Sequence, residues 1–220
     1  MPRKLGSDES LDSLEDEILF TRAALEADED AADLLTRSDD WLSLVDAARA
    51  RDRSARIAEA SASALRAVAN GRLDDACADF GRRLALEAPR SSARWTRFFD
   101  TAPSAWVARA LSRQVASVKA WLTISGDALL DAHRAPLARW SDAAQAALDR
   151  TAASAQVRGA ARVGREELAL DLTRERDGLH AALVARAAER GLPRDWPARF
   201  FRIEDRRRRR ADEDPAPAPA

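Results

Sequence analysis

The stretch SDDWLSLVDAARARDRSARIAEASASALRAVANG, residues 38–71, reads as helix from end to end. Ser38, Asp39 and Asp40 carry side-chain oxygens that accept from the free N–H groups of a first turn. Trp41, Leu44, Val45, Ala48, Ile57, Ala64, Leu65 and Val68 then recur at helical spacing, as a helix with one apolar face requires. Asn70-Gly71 has the form of a C-terminal cap and predicts the end of the helix.

The same grammar continues on both sides. Upstream, Ser7, Asp8 and Ser10 precede Leu11, Leu14, Ile18, Leu25, Ala32 and Leu35, which predicts a helix over about 10–36 with Asp28-Glu29-Asp30 as its weak point. Downstream, Leu73, Cys77, Phe80 and Leu84 predict a third helix that stops before Pro89, because the residue before proline disfavours helical geometry. Pro103 opens a further run through Trp106, Val115, Val118 and Trp121, with a bend at Ser125-Gly126. Pro136 is predicted to open a long helical stretch, Asp177-Gly178 to interrupt it, and Gly191 with Pro193 to end the last helix, Leu179 to Arg190.

Composition agrees. Only eight glycines and nine prolines punctuate 220 residues, and Tyr is absent, so strands have little to be built from. The fold class predicted is all-α, a helical bundle of about six main helices. Apolar residues at 46% and charged residues at 33% describe a globular chain, with no apolar run of membrane-spanning length. A single cysteine, Cys77, makes no internal disulfide, and Met1-Pro2-Arg3-Lys4-Leu5-Gly6 lacks the apolar core of a secretion signal, so a cytoplasmic location is expected.

Two landmarks recur about one hundred residues apart. Pro89-Arg90, Trp95 and Arg97-Phe98-Phe99 close the first half, and Pro193-Arg194, Trp196 and Arg199-Phe200-Phe201 close the second. This order predicts two pseudo-repeated three-helix units, each ending in a short aromatic segment. The expected organisation is a disordered 1–9, a first helical unit over 10–100, a second over 101–205 packed on the first, and a disordered 206–220 of Arg-rich and then Pro/Ala composition.

Charge is unevenly placed. The net charge is -1, yet residues 8–40 hold thirteen acids against Arg22 and Arg37. The acidic N-terminal helix therefore faces a basic remainder, either within its own molecule or on a partner.

The chemistry-bearing residues are few. His133 and His180 stand in no metal-ligand pairing, and neither a phosphate loop nor a nucleophile elbow occurs, so no catalytic residue, metal or cofactor is expected. Asp28, Glu29, Asp30 and Asp33 are the one carboxylate cluster with cation-binding character. The expected function is non-enzymatic protein–protein interaction, as adaptor or scaffold, with another protein or a second copy of the chain. Its candidate interface is Trp95, Arg97, Phe98 and Phe99 with Trp196, Arg199, Phe200 and Phe201, since tryptophan is favoured at interfaces. The alternative is a nucleic-acid-associated protein whose arginines hold phosphate backbone: Arg158, Arg162 and Arg165 on one helix face, and Arg206, Arg207, Arg208, Arg209 and Arg210 in the tail.

Overall fold

A computed structural model describes residues 2–6 and 8–202; the expected arginine-rich tail lies outside the described residues. Within them the chain is all-α: α1 (Leu11–Ala27), α2 (Leu35–Glu87), α3 (Ala93–Thr96), α4 (Pro103–Val107), α5 (Leu111–Leu122) and α6 (Ala128–Arg190), with single 3-10 turns at Ala32–Leu34 and Trp196–Phe200. No strand occurs among the described residues.

Three predicted breaks are absent. α2 runs through Asn70-Gly71, and α6 runs through both Pro136 and Asp177-Gly178. Asn70 does not cap: its amide donates to Asp74 one turn ahead at 2.7 Å, which supports a continuing helix. Neither Gly71 nor Gly178 adopts positive φ, whereas Gly126 and Gly191 do, at 78° and 66°. At Gly191 the left-handed turn lets Leu192 N–H donate to Ala187 C=O at 2.9 Å, and α6 ends there.

Other breaks are real. The first helix ends at Ala27, where Asp28 is extended and its carboxylate accepts from Asp30 N–H at 2.9 Å. The run from Pro103 divides after Val107, because Gln114 donates its side-chain amide to Val107 C=O and Arg109 C=O at 2.9 and 3.0 Å. At the start of α6, Asp127 accepts from Leu130 N–H at 3.1 Å as an N-cap.

The chain forms two compact units, and they are not the serial stretches 10–100 and 101–205. One takes residues up to Asp52 together with those from Ala160 onward; the other is Arg53–Gly159. The division cuts both long helices, so each unit contains part of α2 and part of α6.

In the Arg53–Gly159 unit, α2 and α6 run antiparallel: Phe80 meets His133, Arg72 lies over Trp140, and Glu59 faces Arg158 at 3.6 Å. Leu73, Cys77, Phe80 and Leu84 of α2 pack with Leu130, Leu137 and Ala144 of α6 under Val115, Val118 and Trp121 of α5. In the other unit, Leu14, Ile18 and Leu25 of α1 pack with Trp41 and Val45 of α2 and with Leu172, Leu179 and Leu183 of α6. Residues 1–9 were expected to be disordered, but the described part is fixed here. Leu5 is buried, its N–H donates to Thr173 Oγ1 at 3.2 Å, and Arg3 reaches Glu9 and Glu17. An apolar anchor and an ion pair in five residues outweigh the entropy of the segment.

The buried face of α2 also differs from expectation. Trp41, Ala48, Ala55, Ala62 and Ala69, spaced by seven, are all buried. Leu44, Ile57, Leu65 and Val68, assigned to the core by their hydrophobicity, are exposed.

Candidate functional site

The two aromatic closings are interior. Trp95, Phe98 and Phe99 are at most 3% exposed, and Trp196, Phe200 and Phe201 at most 4%. Phe99 lies 5.2 Å from the Trp121 ring and 5.9 Å from Trp106, while Phe80 and Phe98 meet edge to face at 5.0 Å. Trp196 and Phe200 form a second edge-to-face pair at 4.8 Å, and Trp196 Nε1–H donates to Asp28 at 2.8 Å. The expected aromatic interface is thus corrected. Rings of this size gain more by closing each unit's core than by waiting at the surface, and the indole donor finds a carboxylate. Only Arg97 and Arg199 of that set are exposed, and Arg199 pairs with Asp195 at 2.9 Å.

Several acids of the N-terminal region are paired within its own unit. Arg49 of α2 bridges to Asp12 and Glu15, Arg22 reaches Asp39 at 2.8 Å, and Arg186 and Arg190 of α6 bind Asp33 and Asp30. Asp28, Asp30 and Asp33 are therefore committed to Trp196 and two arginines, and hydrogen bonding to Arg186 holds the Asp33 carboxyl below its ordinary value. No group of three or more His, Cys, Asp or Glu side chains with metal-holding geometry occurs among the described residues.

Among the described residues, Arg176 and Glu17 form an enclosed ion pair, 2.8 Å apart with side chains 1% and 3% exposed. Arg3 adds a second guanidinium on Glu17 Oε1. The Arg176 plane lies over the Phe201 ring, and its Nε and Nη1 make no hydrogen bond, nor does the buried Thr21 hydroxyl. Burial pulls the Arg176 pKa down despite the opposing pull of Glu17. Burial likewise pushes the Cys77 thiol up, with Asp74 adding to it, which leaves the sulfur a core atom rather than a nucleophile.

The candidate phosphate-binding arginines are dispersed in role. Arg158 faces Glu59, Arg162 pairs with Glu166 at 3.0 Å, and Arg165 is half-buried with an Nε that makes no hydrogen bond. Arg206, Arg207, Arg208, Arg209 and Arg210 lie outside the described residues. One open groove of about 400 Å³ sits over Trp41 and Leu44, walled by Arg37, Asp40, Asp171, Arg174 and Glu175. It is lined by acids and arginines together, and Arg174 pairs with Asp171 at 2.8 Å, so it selects no single ligand charge.

Several large apolar side chains stand exposed, among them Leu19 and Phe20 on α1 and Leu86 near the end of α2. On α2 in the Arg53–Gly159 unit, Ile57 is 58% and Val68 63% exposed, with Leu65 and, on α6, Val157 also open. Here Ala55 and Ala62 of α2 and Ser154 of α6 supply the buried positions, and such short side chains leave the larger aliphatic residues outside. The signal that would have located this face was the seven-residue alanine spacing, which assigns the seam and turns Ile57 and Val68 away from it. Comparison with protein-family models, curated proteins and solved structures gives no match.

Proposed function

We propose that this chain is a non-enzymatic interaction protein, a helical scaffold that offers the outer face of a long helix to another protein. The observation that supports the reading best is the placement of apolar side chains: the two aromatic closings are spent inside, while Ile57, Leu65 and Val68 stand open in the middle of α2. Exposed aliphatic side chains close together on one helix, with arginines around them, are characteristic of surfaces that meet another protein, and Ile57 and Val68 are the two most exposed in this stretch of α2. Arginines 158 and 162 each face a carboxylate, which favours this reading over phosphate binding.

The test is affinity capture from a lysate of the source cells, with and without nuclease, with wild-type chain beside the Ile57→Asp, Val68→Asp double variant. A protein partner held by the wild type and lost by the variant supports the proposal. Recovery that disappears with nuclease, or that is unaffected by the two substitutions, overturns it.

A further inference from the structure

We propose that the occupant of this face is a second copy of the chain, in an antiparallel, self-complementary pairing of α2 with α2; this rests on the interaction reading above and makes it specific. At about 100° per residue, Arg53, Ile57, Ala64, Val68, Gly71 and Asp75 fall within about 40° of one line along the helix. All six are exposed. The line lies on the far side of α2 from the buried Ala55, Ala62 and Ala69.

Gly71 shares its open surroundings with Gly159, Gly164 and Gly178 of α6, and it is the one that lies on this line. A glycine in a helix interior destabilises the helix relative to alanine, and a Cβ built on Gly71 meets nothing within 4 Å. Nothing inside the monomer requires it. A two-fold axis through Ala64 supplies the requirement, because it sets Ile57 of each copy over Gly71 of the other, where the missing side chain makes room. The same axis sets Val68 against Ala60 and Ala64 against itself. Ile57 and Val68 then each meet a small residue, as close helix packing needs.

The ends agree in charge. Arg53 precedes the apolar line and Asp75 follows it, so the antiparallel arrangement brings each Arg53 to the other copy's Asp75, twice. A parallel arrangement would set like charges together. One helix face of about 33 Å by about 10 Å contributes roughly 330 Å² per copy, well below the roughly 800 Å² per partner of a standard interface. The dimer is therefore reversible and concentration-dependent.

Sedimentation velocity of the full chain, at concentrations rising to roughly 1 mM, reads the association directly. Wild type is expected to shift from monomer toward dimer. Gly71→Leu places a side chain in space that is open in the monomer, so it leaves the fold intact while weakening association roughly tenfold. Arg53→Asp and Asp75→Arg each weaken association, and the double exchange restores it. Oxidised Ala64→Cys gives a covalent dimer faster than the off-line Ser63→Cys. A chain that stays monomeric at the highest concentration, or a dimer indifferent to Gly71→Leu, overturns the self-pairing. If in that case Ile57→Asp, Val68→Asp still abolishes capture of a different protein, the interaction reading stands without it.

Discussion

Arg176 and Glu17, 159 residues apart in sequence, meet at 2.8 Å in a place closed to solvent, and through them α6 and α1 are joined at one buried charge pair. The pair is incomplete on the arginine side, where Nε and Nη1 make no hydrogen bond. Burying an ion pair gains little over a well-packed apolar pair, yet removing one member leaves the other stranded. Glu17→Gln is therefore expected to cost about 3 kcal/mol in urea-induced unfolding. Glu17→Leu with Arg176→Met should recover most of that loss. A Glu17→Gln chain as stable as wild type would contradict the assignment.

Acidification is expected to destabilise the fold in two stages. Burial holds the His180 imidazole below its ordinary value, so the unfolded chain takes up that proton first. The stability tied to neutral His180 is complete above about pH 6.5 and is lost as pH falls through the lower folded value. Asp127 is held below the ordinary carboxylate range by the Arg94 guanidinium, against the opposing effect of burial. At Glu9 burial opposes ionisation, but Arg3 and the Gly6 N–H outweigh it, and its carboxyl is also lowered. The contribution of both acids is intact above about pH 4 and lost as pH falls through their depressed values. Thermal unfolding followed from pH 8 to pH 3 should show both stages, and His180→Gln should remove only the upper one.

Glycines in the long helices separate into two classes. Gly159 and Gly178 have open space where a Cβ would stand, so Gly159→Ala and Gly178→Ala should each stabilise by about 1 kcal/mol. At Gly81 a Cβ would stand 3.2 Å from Phe99 and 3.4 Å from Pro103. Gly81→Ala should therefore yield no gain, because the crowding of a packed aromatic ring offsets the helix propensity. Melting temperatures of the three single variants check the contrast.

Cys77 should be silent to thiol reagents. It is fully buried among Leu73, Phe80 and Leu84, and its thiol is raised by burial. Ellman's reagent is expected to react at the rate of global unfolding, and a fast reaction under native conditions would contradict the core assignment.

The helical class was legible because periodicity and composition act locally, residue by residue. Gly126 and Gly191 were legible too, since each sits at a left-handed turn that only local geometry demands. Asn70-Gly71 and Asp177-Gly178 have similar local chemistry, but there the long seam between α2 and α6 carries the helix through, and that seam is a tertiary fact. The aromatic closings were visible as aromatic, and their burial was not: Phe98 and Phe99 are covered by Trp106 and Trp121, which arrive from the next segment. On α2 two helical stripes share one sequence, alanines at every seventh position and Ile57, Ala64 and Val68 between them. Hydrophobicity ranks the second stripe higher, yet the partner helix takes the first, because small side chains let two helices approach closely.

If the Ile57 to Val68 face is outer surface with a partner, rather than core, a charge placed on it spares the monomer and breaks the association. Light scattering coupled to size exclusion, with wild type and Val68→Asp at equal high concentration and a melting curve of each peak, tests this most directly. The expected result is a Val68→Asp chain that melts within about 0.5 kcal/mol of wild type while its mass falls to that of the monomer. A variant that unfolds early, or one that associates as wild type does, would contradict it.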